Sequence, residues 1–333
     1  MFTALNKRYQ FMNQSLRWGI LGTGMIATKF ANDLKHTPSG ELVATGSRGL
    51  ETAEAFATTH GGRGVSGYEA LINDPEVNAI YNSLPNGLHA EWSIKAMEAG
   101  KHVLCEKPIA CNANEAEAMF DVSKRTGQVL VEAFMYRTLP SIRKLIEMVR
   151  GGMLGKVKLI RSNFSFSREV LDGDARYEPS QAGGGLMDVG CYCINLTRAI
   201  MGAEPTDTSC FAHLHTRGVD DYAAGLLQFG NETLATFTCG MTVFNDWTTY
   251  IAGDEGEIAI FDPWLGDGTF TVTRNGQKET IEAKTKTPLY ALEAEAFAEA
   301  IDGREPWITR EDTLGNMKVL DQLRKQAGVP VPT

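Results

Sequence analysis

The sequence predicts a doubly wound α/β Rossmann domain followed by an α+β domain with a largely antiparallel open sheet. Three observations lead there. Short apolar runs alternate with helical stretches through the first half, which implies parallel strands joined by right-handed crossovers. After Pro140–Arg150 the rhythm changes to strand-like runs separated by hairpin turns. At 333 residues, 43% of them hydrophobic, the chain also exceeds the roughly 250–300 residues at which a single core stops growing.

In chain order, residues 1–16 are polar and read as a flexible arm. Trp18–Leu21 is the first strand, followed by a glycine turn and a helix over Met25–Leu34. Leu42–Ser47 is a strand, Thr52–Thr59 a helix, Gly64–Ser66 a short strand and Ala79–Ser83 another. A helix over Ala90–Ala99 leads to His102–Cys105; the helix Asn114–Thr126 then leads to Val129–Glu132. The first domain is placed at residues 17–138 and the second at 139–333, with the C-terminal helices able to pack back on the first. In the second, Pro140–Arg150 is a helix, Lys156–Phe166 a long strand and Leu186–Met201 a helix. Strands follow at Tyr222–Phe229, Thr233–Cys239, Thr248–Gly253, Glu257–Phe261 and Thr269–Thr273, with turns at Gly230-Asn231 and Asn275-Gly276. Helices over Leu289–Ile301 and Asp312–Gln326 end the chain.

Charge excludes two classes of partner. With 32 basic and 41 acidic residues, a net of −9, and no run of Lys and Arg, the chain lacks the basic footprint that nucleic acids or anionic membranes require. No apolar stretch approaches the about 20 residues of a membrane span. The six cysteines, Cys105, Cys111, Cys191, Cys193, Cys210 and Cys239, form no C-x-x-C pair. They read as buried thiols of a reducing compartment. The N-terminus has no apolar signal core of about 7–15 residues, so the expected location is cytoplasmic. His213 and His215 alternate on a possible strand, but no third ligand accompanies them, so no metal is expected.

Leu21-Gly22-Thr23-Gly24-Met25-Ile26-Ala27 follows the first strand as a G-x-G-x-x-A turn. The first glycine permits a tight turn and the second lets backbone approach a pyrophosphate. The small residue at 27 allows close packing, and the helix N-terminus favours negative charge. The second strand ends in Ser47-Arg48, where an NAD-specific site would carry an acid for the ribose hydroxyls. Without that carboxylate, Arg48 can clamp a 2′-phosphate. NADP is therefore expected over NAD.

Further along stand Pro85-Asn86-Gly87-Leu88-His89, Glu106-Lys107-Pro108 and Gly183-Gly184-Gly185-Leu186-Met187-Asp188-Val189-Gly190-Cys191-Tyr192. With these motifs the chain resembles the Gfo/Idh/MocA oxidoreductases from about Arg17 to its last helices. Glu132-Ala133-Phe134-Met135-Tyr136-Arg137, and Tyr rather than His at 192, resemble the branch of D-xylose dehydrogenases, dimeric dihydrodiol dehydrogenases and glucose–fructose oxidoreductase. The resemblance implies an NADP-dependent enzyme acting on a sugar or cyclic diol, a cis Lys107–Pro108 bond, and a homo-oligomer, most simply a dimer, formed through the second sheet. It implies Lys107, Asp188 and Tyr192 as the catalytic group, with Tyr192 as acid/base. A free phenol has a pKa near about 10, so Lys107 is expected to lower it. Asp188, spaced i,i+4 from Tyr192, would share its helix face. Leu84, Pro85, Asn86, His89, Glu106 and Lys107 join Gly22, Thr23, Gly24, Met25, Ile26, Ser47 and Arg48 as expected cofactor contacts. Arg137, Arg176 and Asp188 are candidates for substrate hydroxyls. Two alternatives share this sequence pattern: an enzyme like glucose–fructose oxidoreductase with tightly held NADP, and a non-catalytic dinucleotide- and sugar-sensing protein.

Overall fold

Leu16–Leu21 (β1) is buried on both faces, as a central parallel strand requires, with Trp18, Ile20 and Leu21 fully enclosed. The computed structural model describes residues 15–244 and 246–332. Apart from Ser15 and Leu16, the expected arm lies outside the described residues. Leu16 already belongs to β1, two residues before the expected start.

β1 is joined in one parallel sheet by β2 (Gly40–Ser47), β3 (Arg63–Ser66), β4 (Ala79–Asn82), β5 (His102–Glu106) and β6 (Leu130–Ala133). Their order is β3-β2-β1-β4-β5-β6, so the chain reverses direction across the sheet between β1 and β4. Ligands bind outside the carboxyl ends of the strands at such a switch. The helices are α1 (Met25–Leu34), α2 (Leu50–His60), α3 (Tyr68–Ile72), α4 (His89–Glu98) and α5 (Ala113–Thr126). α1 buries Ala27, Phe30, Ala31 and Leu34, and Phe30 stacks on Tyr81 of β4 at 3.8 Å between ring centroids. The short α3 was not anticipated.

The second unit contains α6 (Pro140–Arg150), β7 (Val157–Ser165), α7 (Cys191–Met201), β8 (Asp207–Leu214), β9 (Asp220–Phe229) and β10 (Thr233–Gly240). β11 (Thr248–Gly253), β12 (Gly256–Phe261), β13 (Thr269–Arg274) and β14 (Gln277–Glu282) complete a sheet ordered β14-β13-β12-β11-β7-β10-β9-β8. Every neighbouring pair is antiparallel except β7 with β10. β10 alternates as a half-covered strand should: Ala235, Phe237 and Cys239 are buried while Leu234 is exposed. The same outer face carries Leu159, Tyr222 and Leu226, and Phe211 on the edge strand β8 is 81% exposed.

The expected helix over Leu186–Met201 is corrected. Leu186–Gly190 forms a wider π turn before α7 begins at Cys191. There Leu186 N donates to the buried Asp220 carboxylate at 2.6 Å, and Gly190 lies so close to Cys239 that an added Cβ would meet its sulfur at 3.0 Å. Two final helices, α8 (Leu289–Ile301) and α9 (Arg310–Gln326), return to the first domain. Tyr290 N donates to Asp33 at 3.1 Å, Phe297 packs on Trp18, and Ala113 N donates to Asp321 at 2.8 Å. All six cysteines are buried free thiols. Among the described residues, no helix is long and apolar enough to cross a membrane.

Candidate active site

A cavity of about 750 Å³ runs from the β1–α1 turn, across the carboxyl edge of the first sheet, to the π turn before α7. At its first end Gly22 adopts φ +97°, a conformation that L side chains avoid. Gly24 leaves open space where a Cβ would stand, and it begins α1 without a side-chain cap or any acid in the first turn. The free N–H groups of α1 therefore face the cavity beside Thr23, Met25 and Ile26. This cradle fits a pyrophosphate. Ser47 and Arg48, at the end of β2, line the same end together with Lys29 and Thr52. Neither Arg48 nor Lys29 has a carboxylate partner among the described residues, so this end is positive and suits a further phosphate.

Leu84, Pro85 and Asn86 line the middle of the cavity. Asn86 Nδ2 reaches across to Ala182 O at 3.1 Å, tying the first domain to the loop before the π turn. Glu106 ends β5 and is buried; it accepts from the Tyr81 hydroxyl and from Lys107 N. Burial pushes its carboxyl above the usual range, while Lys107 pulls it back. The Lys107–Pro108 bond is cis. Lys107 Nζ donates to Asp188 O at 2.9 Å and lies 3.4 Å from Asp188 Oδ1. Burial works against its positive charge, but the Asp188 carboxylate beside it outweighs that and holds the amine above its ordinary pKa.

Tyr192 lines the cavity with Asp188, although the two are separated by the π turn rather than by one regular helical turn. Its ring is enclosed by Phe134, Phe164 and Trp264, with centroids 5.2–5.5 Å away. The hydroxyl donates to Met135 Sδ at 3.4 Å, a weak partner. The expectation that Lys107 lowers the phenol pKa is corrected. Lys107 Nζ stands 5.0 Å from the centre of the ring, and burial, reinforced by the charge of Glu106, raises Tyr192 well above its ordinary value.

One further assignment changes in the structure. Arg137 does not line this cavity; its guanidinium bonds Asn195 and Asp312, each at 3.0 Å, and so braces α7 against α9. His89 opens α4 but is 1% exposed, with Nδ1 2.9 Å from Pro108 O and Nε2 2.6 Å from Leu84 O. Burial lowers its pKa to about 4 despite those carbonyls; it lines the cavity and also braces the Lys107 segment through Pro108. Arg176 does line the cavity, held by Asp174 through Nε and Nη2 at 2.9 Å each. His213 pairs with Asp221, whereas His215 accepts from Arg217 N and packs on Tyr177. Sequence reasoning missed Lys29, Thr52, Met135, Phe164, Gln181 and Tyr290 as lining residues. Lys29, one turn beyond Met25 on α1, could have been found from helical spacing; Tyr290 arrives only through the return of α8.

A dinucleotide cradle facing a polar, partly charged substrate end defines a nicotinamide-dependent oxidoreductase. The chain belongs to the Gfo/Idh/MocA oxidoreductase family. Residues 16–134 match the oxidoreductase family with an NAD-binding Rossmann fold, and residues 142–259 match the GFO/IDH/MocA C-terminal domain. The chain is 33% identical to D-xylose 1-dehydrogenase (NADP(+)) 2 of Haloferax volcanii, over 94% of this chain and 97% of that protein. It is 34% identical to trans-1,2-dihydrobenzene-1,2-diol dehydrogenase of Mus musculus, over 75% and 76%. A 3-ketoreductase from Actinomadura kijaniata, solved with NADP and TDP-benzene, superposes with a TM-score of 0.88 at 29% identity, over 94% of this chain and 98% of that one. The aldose-aldose oxidoreductase of Caulobacter crescentus, solved with glycerol, gives 0.87 at 26% identity, over 95% and 98%.

Proposed function

We propose that this protein is an NADP-dependent dehydrogenase that transfers hydride between the nicotinamide and a hydroxyl-bearing carbon of an uncharged sugar or cyclic diol. One observation carries the reading: a single cavity joins the glycine turn and Arg48 to Lys107, Asp188 and Tyr192. When bound, NADP supplies the hydride chemistry. The protein's part is to hold the reacting carbon, exclude water and handle the proton. Tyr192 is assigned as the group that exchanges a proton with the substrate oxygen. Lys107, kept cationic by Asp188, stabilises negative charge developing on that oxygen. The cations at the substrate end are each matched by a carboxylate, Lys107 by Asp188 and Arg176 by Asp174. This balance favours a neutral polyol over a sugar acid or phosphate. The names of the xylose and dihydrodiol dehydrogenases support the same class.

The test is a panel of aldoses, polyols and cyclic diols, with their phosphorylated and acidic counterparts, followed by NADPH absorbance. Turnover confined to neutral compounds is expected. NADP binding without turnover anywhere in the panel would instead favour a sensing protein. The bridge from Asn86 to Ala182 across the cavity gives the tightly held cofactor its specific support. Copurified NADP that resists exchange during turnover of two sugars would establish that variant.

Cofactor choice is expected to depend on Arg48. Arg48→Ala should weaken NADP binding by about 1.5–3 kcal/mol, the scale of a hydrogen bond to a charged group, while NAD binding is little altered. Titration of both dinucleotides checks this, and an unchanged preference would remove Arg48 from the role. Assembly follows from the outer sheet face, where Phe211, Leu226 and Leu234 offer apolar surface that a second copy would cover. Sedimentation should give a dimer at micromolar concentration, and Phe211→Lys combined with Leu234→Lys should give a monomer. A wild-type monomer would overturn that assignment.

A further inference from the structure

Glu132 on β6 is fully buried, and the reaction assigned above leaves it without a task. One carboxyl oxygen, Oε1, accepts from Ile109 N at 3.0 Å, whereas Oε2 has no hydrogen-bond partner among the described residues. A carboxyl in this position is costly compared with an apolar residue of similar size, so its single well-made bond calls for an explanation. Ile109 lies two residues beyond Lys107. Pro108 between them has no N–H, so Ile109 N is the first backbone donor after Lys107 that can tie the segment down. Glu132 stands directly opposite Cys105 in the β5–β6 register, which makes β6 a rigid post beside the end of β5. His89 holds Pro108 O from the opposite direction.

We propose that Glu132 is a positioning residue which, through the Ile109 N–H, fixes the segment that places the Lys107 ammonium against Asp188 and the face of Tyr192. This rests on the assignment of Lys107 above. The groups facing Glu132 come from several elements: Asp312 and Thr313 on α9, Arg198 and Cys191 on α7, and Cys105 on β5. Burial pushes the Glu132 carboxyl up to about 8, with Thr313, the Ile109 N–H and Arg198 opposing that rise and Asp312 adding to it. Burial therefore favours the neutral acid and moves its ionisation to the alkaline side of the usual carboxyl range. A carboxylate accepts an N–H more strongly than a neutral acid, so the anchor changes strength as the group ionises.

The experiment compares Glu132→Gln, Glu132→Leu and Lys107→Met as NADP-loaded proteins. Glutamine keeps the acceptor and removes the charge; leucine removes both. Glu132→Leu should lower kcat about 10–100-fold, the scale of an ångström misplacement at a reacting centre, with KM changed far less. Glu132→Gln should stay within about threefold of wild type at pH 7, and should lose an inflection near pH 8 present in the wild-type kcat profile. Folded Glu132→Leu with wild-type kcat, alongside an inactive Lys107→Met, would overturn this proposal alone. An active Lys107→Met would instead overturn the assignment beneath it. Where Glu132→Leu does not fold, an inflection near pH 8 that persists in Glu132→Gln, or its absence from wild type, overturns the proposal.

Discussion

Tyr192→Phe is expected to lower turnover about 10²–10⁴-fold, the usual contribution of a positioned proton transfer. The substitution keeps the ring among Phe134, Phe164 and Trp264 and removes only the hydroxyl, whose partner among the described residues is the Met135 sulfur. Packing and NADP affinity should therefore barely change, because the glycine turn and Arg48 lie at the other end of the cavity. The direction of the Tyr192 shift adds a second expectation. Burial keeps the phenol protonated across neutral pH, so it is set to give its proton to a carbonyl oxygen. In the oxidative direction the tyrosine must first lose that proton, which burial opposes. Apart from the Glu132 inflection near pH 8, carbonyl reduction should change little with pH, while alcohol oxidation rises with it. Single-turnover rates in both directions check this. Near-normal turnover by folded Tyr192→Phe would sink the assignment, and His89 could not replace it, since both its ring nitrogens face backbone carbonyls.

The first domain was legible because its signals are local. An apolar strand, a glycine turn and an amphipathic helix announce themselves within about twenty residues. β8 and β14 were harder because both lie on sheet edges. Gln277–Glu282 is almost wholly exposed and carries charge where a covered strand would carry alternating apolar residues. The π turn depends on Asp220 and Cys239, far along the chain from Leu186 and Gly190. Arg137 shows the same limit at the site. It follows Tyr136 in sequence, but a 3₁₀ turn over Met135–Thr138 directs it to Asp312, 175 residues away. The environment of Tyr192 also comes from three distant segments, so a phenol that simple proximity to Lys107 would acidify is instead desolvated. Residue types and their order were readable; the balance between charge and burial needed the packed structure.

Lys107→Met is expected to lower turnover about 10²–10³-fold, the loss seen when a group stabilising a developing oxyanion is removed. Methionine preserves much of the apolar stem but leaves the Asp188 carboxylate without its cation. A substrate oxygen gaining negative charge would then meet a repulsive neighbour rather than an ammonium. Because Asp188 holds Lys107 above its ordinary pKa, the amine stays charged at neutral pH, and in the proposed mechanism it acts by its field rather than by carrying the proton. That separates its role from Tyr192 while making each depend on the other: proton donation is productive only at an oxygen the cation has stabilised. The double variant Lys107→Met/Tyr192→Phe should therefore lose less than the product of the two single losses. NADP affinity should weaken modestly in Lys107→Met, since the residue lines the cavity beside Glu106 and Asp188, and should stay unchanged in Tyr192→Phe. Single-turnover NADPH formation by the two single variants and the double, each saturated with cofactor, tests the coupling. Fully multiplicative losses would mean that the ammonium and the phenol act on separate steps.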